Sequence, residues 1–94
     1  MEKTNRQKAI EAIQHVIWGV SMEEAIELME AAKLELNTIS DEFFGEADLE
    51  MHNLLNRGLT MANNDRWDFN FGQELNSSLV KLYAAEAAFQ AEQA

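Results

Sequence analysis

The absence of proline is the strongest constraint on what this chain can fold into. Its 94 residues contain no proline and only four glycines, so few positions interrupt a helix. Apolar residues recur at spacings of three and four along most of the sequence, which is the period of an amphipathic helix, and strand-like alternation is nearly absent. We therefore predict an all-α fold, a small four-helix domain with short loops that occupies residues 1–94 as a single domain.

Side-chain capping signals indicate where the first two helices begin. We predict the first helix over residues 4–18 and the second over residues 21–37. Each opens with Ser or Thr followed three residues later by Glu or Gln, which is the spacing of a capping box. Gly19 separates the two helices, because glycine readily adopts the positive φ that ends a helix. The two capping boxes are Thr4 with Gln7 and Ser21 with Glu24.

The third helix is harder to delimit. Thr38 or Ser40 can cap its start, and its apolar spacing continues to Asn63. Gly45 lies inside this span and disfavours helix by about 1 kcal/mol relative to alanine. The pattern leaves open whether the helix is continuous or breaks near Gly45, which would leave residues 41–44 as a separate turn.

The fourth helix is predicted over residues 71–90, with Asn70 and Gln73 as its capping box. Aromatic residues alternate with polar ones over residues 67–71, too briefly for a strand, and predict a loop that docks its aromatics onto the helices. The fourth helix is apolar on two faces, and small residues make up the second one. Either the fold itself or a second copy of the chain has to cover that face. We predict a homodimer formed through Val80, Ala84, Ala87, Ala88 and Ala91.

The net charge is −10 and unevenly distributed. Between residues 9 and 56, eleven carboxylates stand against one cation, Lys33. A field of this sign repels phosphate backbones, so we expect no direct binding of nucleic acid and expect a protein partner to be basic. On the second helix the carboxylates lie opposite the apolar stripe, and the third helix continues them. The acidic candidate residues are Glu23, Glu27, Glu30, Asp41, Glu42, Glu46 and Glu50.

Two functions follow as hypotheses. The first is a non-enzymatic, homodimeric protein-interaction module. The alternative is an inhibitor or nucleic-acid mimic that places the acidic face in the basic site of a nucleic-acid-binding enzyme, by analogy of size and charge with small acidic proteins of phages and mobile elements, which often act this way. Large apolar side chains away from the helical stripes, or concentrated in one segment, are further candidates for partner contact. They are Trp18, Leu34, Trp67 and Phe69.

One acidic pattern also admits an enzyme. Glu23-Glu24-x-x-Glu27 resembles half of the magnesium-binding pattern of all-α nucleoside triphosphate pyrophosphohydrolases. Carboxylate oxygens suit magnesium because it is a hard cation. The other half of the pattern, Glu-x-x-Asp on the next helix, is missing, and its nearest match is Glu50-x-x-Asn53. We expect no enzymatic activity, no metal and no cofactor.

The remaining signals concern compartment and one unusual carboxylate. The chain has no cysteine, no apolar stretch near the ~20 residues of a membrane helix and a polar N-terminus, so we expect a cytoplasmic protein without membrane attachment. Glu86 falls among apolar residues of the fourth helix. We expect it to be exposed near the helix end; if it is buried it needs a cation, and Arg57 or Arg66 are the candidates.

Overall fold

The computed structural model describes residues 2–93, which form four helices and no strand. The predicted all-α four-helix fold is therefore confirmed. In chain order the helices are α1 over Asn5–Trp18, α2 over Met22–Thr38, α3 over Glu46–Asn63 and α4 over Phe69–Gln93. Within these residues, no helix is long and apolar enough to cross a membrane.

Each helix packs against the next one along the chain, and α4 returns to pack against α1. The diagonal pairs, α1 with α3 and α2 with α4, have no Cα atoms within 8 Å of each other in the described part of the chain. Short connections make consecutive helices antiparallel, as in an up-down-up-down bundle. Arg6 marks the end of the bundle where α1 begins, and Trp67 marks the opposite end, where α4 begins.

The first two helices begin where their capping residues predict. The Thr4 hydroxyl accepts a hydrogen bond from the backbone N–H of Gln7 at 3.1 Å, and the Gln7 side chain accepts one from the Thr4 N–H at 2.7 Å. The Ser21 hydroxyl likewise caps α2, at 3.2 Å from the N–H of Glu24. Gly19 follows α1 with a φ of 107°, which a residue with a side chain rarely adopts.

The third helix is not continuous with the residues before Gly45. Residues 41–43 form a turn, Gly45 is the N-cap, and α3 begins at Glu46. The Asp48 carboxylate accepts a hydrogen bond from the N–H of Gly45 at 2.9 Å and so satisfies a donor at the helix start. The third helix therefore breaks at Gly45, and the Asp48 side chain folds back to cap its first turn.

The predicted start of α4 is wrong by two residues. The helix begins at Phe69, and the Asp68 side chain accepts a hydrogen bond from the N–H of Asn70 at 2.9 Å. Asp68 therefore takes the capping role expected of Asn70, which lies inside the helix. Phe71 is fully buried, and Trp67 packs on it edge to face with ring centroids 5.2 Å apart. The side chain of Phe69 lies outside the described part of the structure.

The core approaches the backbone of α3 closely at Gly58. A Cβ atom built on Gly58 would lie 2.7 Å from Cζ of Phe71 and 2.9 Å from Sδ of Met29. Both neighbours are fully buried. The aromatic ring of α4 therefore occupies the space that any larger residue would need, which explains a glycine in the middle of a helix despite its low helix propensity.

Candidate interaction surfaces and the buried ionic cluster

A buried ionic cluster joins three helices at the Arg6 end of the bundle. The Arg6 guanidinium donates to both oxygens of Asp48 at 2.8 Å and to Glu86 at 3.3 Å. All three side chains are buried, with Asp48 wholly inaccessible to solvent. One cation therefore pairs with two carboxylates that stand 42 and 80 residues away from it along the chain, and the three side chains together carry a formal charge of −1.

The same cluster also holds the connection between α2 and α3. Arg6 donates a fourth hydrogen bond, to the carbonyl oxygen of Phe43 in the turn, at 2.9 Å. Glu86 accepts from the Thr4 hydroxyl at 3.1 Å and from the Gln90 amide at 2.6 Å. The cluster thus ties the start of α1, the turn and the C-terminal half of α4 to one another, which is a structural role.

The charge state of Arg6 follows from its partners. Hydrogen bonds to Asp48 raise the pKa of Arg6 above its ordinary value and outweigh burial, which acts in the opposite direction. A group whose pKa is raised by folding contributes stability that is lost only as pH rises through that raised value. The contribution of Arg6 is therefore constant throughout the neutral range.

The expectation that Glu86 is exposed is wrong, and neither proposed partner is its cation. Arg57 instead forms an exposed ion pair with Glu74 of α4, and Arg66 is exposed. A signal for the real partner was available in the sequence. Arg6 precedes Ile10 and Ile13 at the spacing of buried positions in α1, just as Asp48 precedes the buried Met51 and Leu55 in α3. Charged residues on the buried stripes of different helices predict a shared ion pair.

The predicted acidic face is divided between different sides of the bundle. Glu23, Glu27 and Glu30 are exposed along α2, whose outer side faces away from α4. Exposed carboxylates also lie in the turn before α3 and at its first residue, namely Asp41, Glu42 and Glu46.

Glu50 is separated from the other acidic residues by its contacts. It accepts hydrogen bonds from the hydroxyl of Ser78 at 3.3 Å and from the ammonium of Lys81 at 3.1 Å, both on α4. Glu50 therefore lies in the groove between α3 and α4, on the other side of the bundle from the outer face of α2.

No metal site accompanies the acidic pattern of α2. Among residues 2–93, no group of three or more His, Asp and Glu side chains is placed to hold a metal ion. Glu23 and Glu27 point to solvent, and one histidine, His15, stacks edge to face on Trp18 with centroids 5.6 Å apart. The partial resemblance to the pyrophosphohydrolase pattern thus lacks converging carboxylates to support it.

The small-residue face of α4 is not covered by the other helices. Val80 is 61% exposed, and the alanines at 84, 87, 88 and 91 are exposed as well. At 100° per residue, Gln73 and Ser77 extend the same face toward the start of α4, and Glu74 and Lys81 border it on the side toward α3. We call this surface, formed by Gln73, Ser77, Val80, Ala84, Ala87, Ala88 and Ala91, the outer face of α4.

Two of the predicted apolar contact residues are the most exposed large hydrophobic side chains in the described part of the chain. Trp18, the last residue of α1, is 72% exposed, and Leu34 on α2 is 68% exposed. Leu34 lies roughly 20° from Glu27 around the helix, so it belongs to the acidic side of α2. Trp67 is partly buried against the core through Phe71. The structure therefore places Trp18 and Trp67 at the same end of the bundle and Leu34 on α2, apart from them.

A groove between α1 and α4 opens at the Trp67 end of the bundle. Its volume is about 620 Å³, and its lining holds no charged residue. The sequence did not predict it, because its walls come from the end of one helix and the start of another more than fifty residues later. It is lined by Val16, Ile17, Trp67, Gly72, Gln73, Leu75, Asn76 and Ser77.

Comparison of the chain with protein-family models, with curated proteins and with solved structures finds no match.

Proposed function

We propose that this protein is a non-enzymatic interaction module that self-associates through the outer face of α4. The observation that carries the proposal is the contrast between this face and the rest of the molecule. A quarter of the chain is charged and its net charge is −10, yet the exposed residues along the outer face of α4 are uncharged. A helix that is apolar on both sides is normally buried on both sides.

The distribution of charge permits two copies to meet at this face. The acidic side of α2 lies diagonally across the bundle from α4. A two-fold dimer formed through α4 therefore keeps the α2 carboxylates of both copies on opposite outer sides, far from one another. Repulsion between copies that carry −10 each is lower in this arrangement than in one that brings the α2 carboxylates together.

The shape of α4 also favours a partner. Alanines at 84, 87 and 91 allow a neighbouring helix to approach closely, and Val80 adds apolar area. The helix has 25 residues against 14 in α1, so its last turns extend past the start of the first helix. A domain of this size buries only about 60–65% of its unfolded surface, so association adds useful stability.

A charge placed in the middle of the outer face tests the proposal. Ala84→Glu is expected to weaken self-association at least tenfold, about 1.4 kcal/mol, because two carboxylates would be desolvated against an apolar surface. The measurement is sedimentation equilibrium from one to several hundred micromolar. Ala31→Glu is the matched control, since Ala31 is also an exposed helical alanine and the net charge is the same. A monomeric wild-type protein at tens of micromolar, or equal dimerisation by both variants, would contradict the proposal.

The second candidate function is inhibition of a basic partner by the acidic side of α2. Its support is that Glu23, Glu27 and Glu30 are exposed and form no ion pair with another described residue. In this case a basic protein from a cell lysate is retained at low salt and released at moderate salt. The double variant Glu23→Lys, Glu27→Lys is expected to lose that retention, whereas Ala84→Glu keeps it. Retention that survives the charge reversal would remove this candidate.

A further inference from the structure

We propose that Trp18 of each copy packs into the groove between α1 and α4 of a second copy. The inference rests on the proposed self-association and names the contact that holds it together. The inference starts from two features of one molecule. The Trp18 indole is 72% exposed, and the uncharged groove of about 620 Å³ has Trp67 in its wall.

Trp18 projects from the side of the bundle where this groove lies. It directly follows Val16 and Ile17, which line the groove. Around α1 it lies roughly 40° from Gln14 and 20° from Gln7, at 100° per residue. Both glutamines line the seam between α1 and α4 further along the bundle. The indole therefore faces any molecule that covers the α1–α4 side.

The groove has the chemistry that an indole needs. Its walls include the aliphatic side chains of Ile17 and Leu75, and its rim carries the amides of Gln73 and Asn76. An indole has a large apolar surface and a single N–H donor, which an amide oxygen can accept. No charged side chain lines the groove, so a charged occupant would be desolvated there without a counter-ion.

Continuity with the outer face of α4 identifies the occupant as a second copy. Gln73 and Ser77 belong both to the groove and to that face, so the two surfaces are continuous, and charged residues border them on the side toward α3. A two-fold axis that runs parallel to the bundle and passes through the α1–α4 side puts α1 of each copy opposite α4 of the other. The exposed Trp18 of each copy then meets the groove of the other, as a self-complementary interface requires. A basic partner would instead be drawn to α2, on the opposite side.

The test uses wild-type protein labelled with 5-fluorotryptophan. The chain has two tryptophans, so it shows two fluorine resonances, which Trp18→Phe assigns. We expect the Trp18 resonance to lose its solvent isotope shift as the concentration rises through the dissociation constant measured by sedimentation. Trp18→Ala is expected to weaken the dimer at least tenfold. Leu34→Ala, which removes another exposed apolar side chain, is expected to leave it unchanged.

A second pair of variants probes the groove. Asn76→Asp adds a charge to its rim with almost no change in shape, whereas Asn53→Asp adds the same charge at an exposed position of α3. We expect only the first to weaken the dimer, by at least fivefold. A dimer whose Trp18 stays solvent-exposed, and which both Trp18→Ala and Asn76→Asp leave intact, overturns this inference but not the proposed function. Absence of any dimer overturns both.

Discussion

Replacing Arg6 with methionine is expected to lower the free energy of unfolding by about 3–5 kcal/mol, the usual cost of removing one partner from a buried ion pair. The variant keeps most of the aliphatic volume of the arginine but leaves Asp48 and Glu86 buried without a cation. It also removes the hydrogen bond that holds the carbonyl of Phe43 in the turn before α3. In a domain of this size such a loss approaches the whole stability.

The measurement is urea denaturation followed by circular dichroism at neutral pH. Lys8→Met is the matched control, because Lys8 is exposed on the same helix and the change in net charge is identical; we expect it to change stability by no more than about 0.5 kcal/mol. Adding Glu86→Gln to Arg6→Met should recover part of the loss, since it removes one of the two uncompensated carboxylates. Equal stability of the Arg6 and Lys8 variants would show that the cluster contributes nothing.

Gly58→Ala is expected to destabilise the protein by about 1–3 kcal/mol, the typical cost of overpacking a core. At an ordinary position inside a helix the same substitution stabilises by about 1 kcal/mol, so the prediction reverses the usual sign. The reason is the added Cβ, which would lie 2.7 Å from Cζ of Phe71 and 2.9 Å from Sδ of Met29. The methionine can move, but the ring is enclosed by the core.

Gly72→Ala provides the comparison within the same protein. Gly72 lies in α4 with nothing within 4 Å of its Cβ position, so alanine there should raise stability by a few tenths to about 1 kcal/mol. Combining Gly58→Ala with Phe71→Leu should cost less than the sum of the two single variants, because the smaller side chain gives the new methyl group room. A stabilising Gly58→Ala would mean that the ring and the methionine move without cost.

Local signals explain why the helical fold was predictable. The hydroxyls of Thr4 and Ser21 accept hydrogen bonds from N–H groups three residues away. Apolar residues that recur at spacings of three and four define the buried stripe of each helix. Such interactions form within one or two turns, so the sequence contains both partners side by side. The error at α4 was also local: Asp68 and Asn70 are both good capping residues, and the sequence does not say which of them stands at the helix end.

The candidate surfaces were likewise predictable where they depend on a single helix and unpredictable where they depend on how the helices pack. The periodicity of α4 predicted that Val80 and the alanines lie opposite its buried residues, and the helix itself places them there. Whether another part of the chain covers that face depends on the order of the helices around the bundle. The division of the acidic residues has the same origin, since Glu50 turns toward Ser78 and Lys81 of a neighbouring helix.

The sequence by itself determined the all-α class, the number of helices and the sides of each helix that are buried, because these depend on contacts within a few residues. The tertiary structure alone decided which residues meet across the bundle. Arg6 finds its carboxylates 42 and 80 positions away, and the groove beside Trp18 needs the end of α1 and the start of α4 together. Pairing at such distances depends on how the helices pack, and neither periodicity nor capping carries that information.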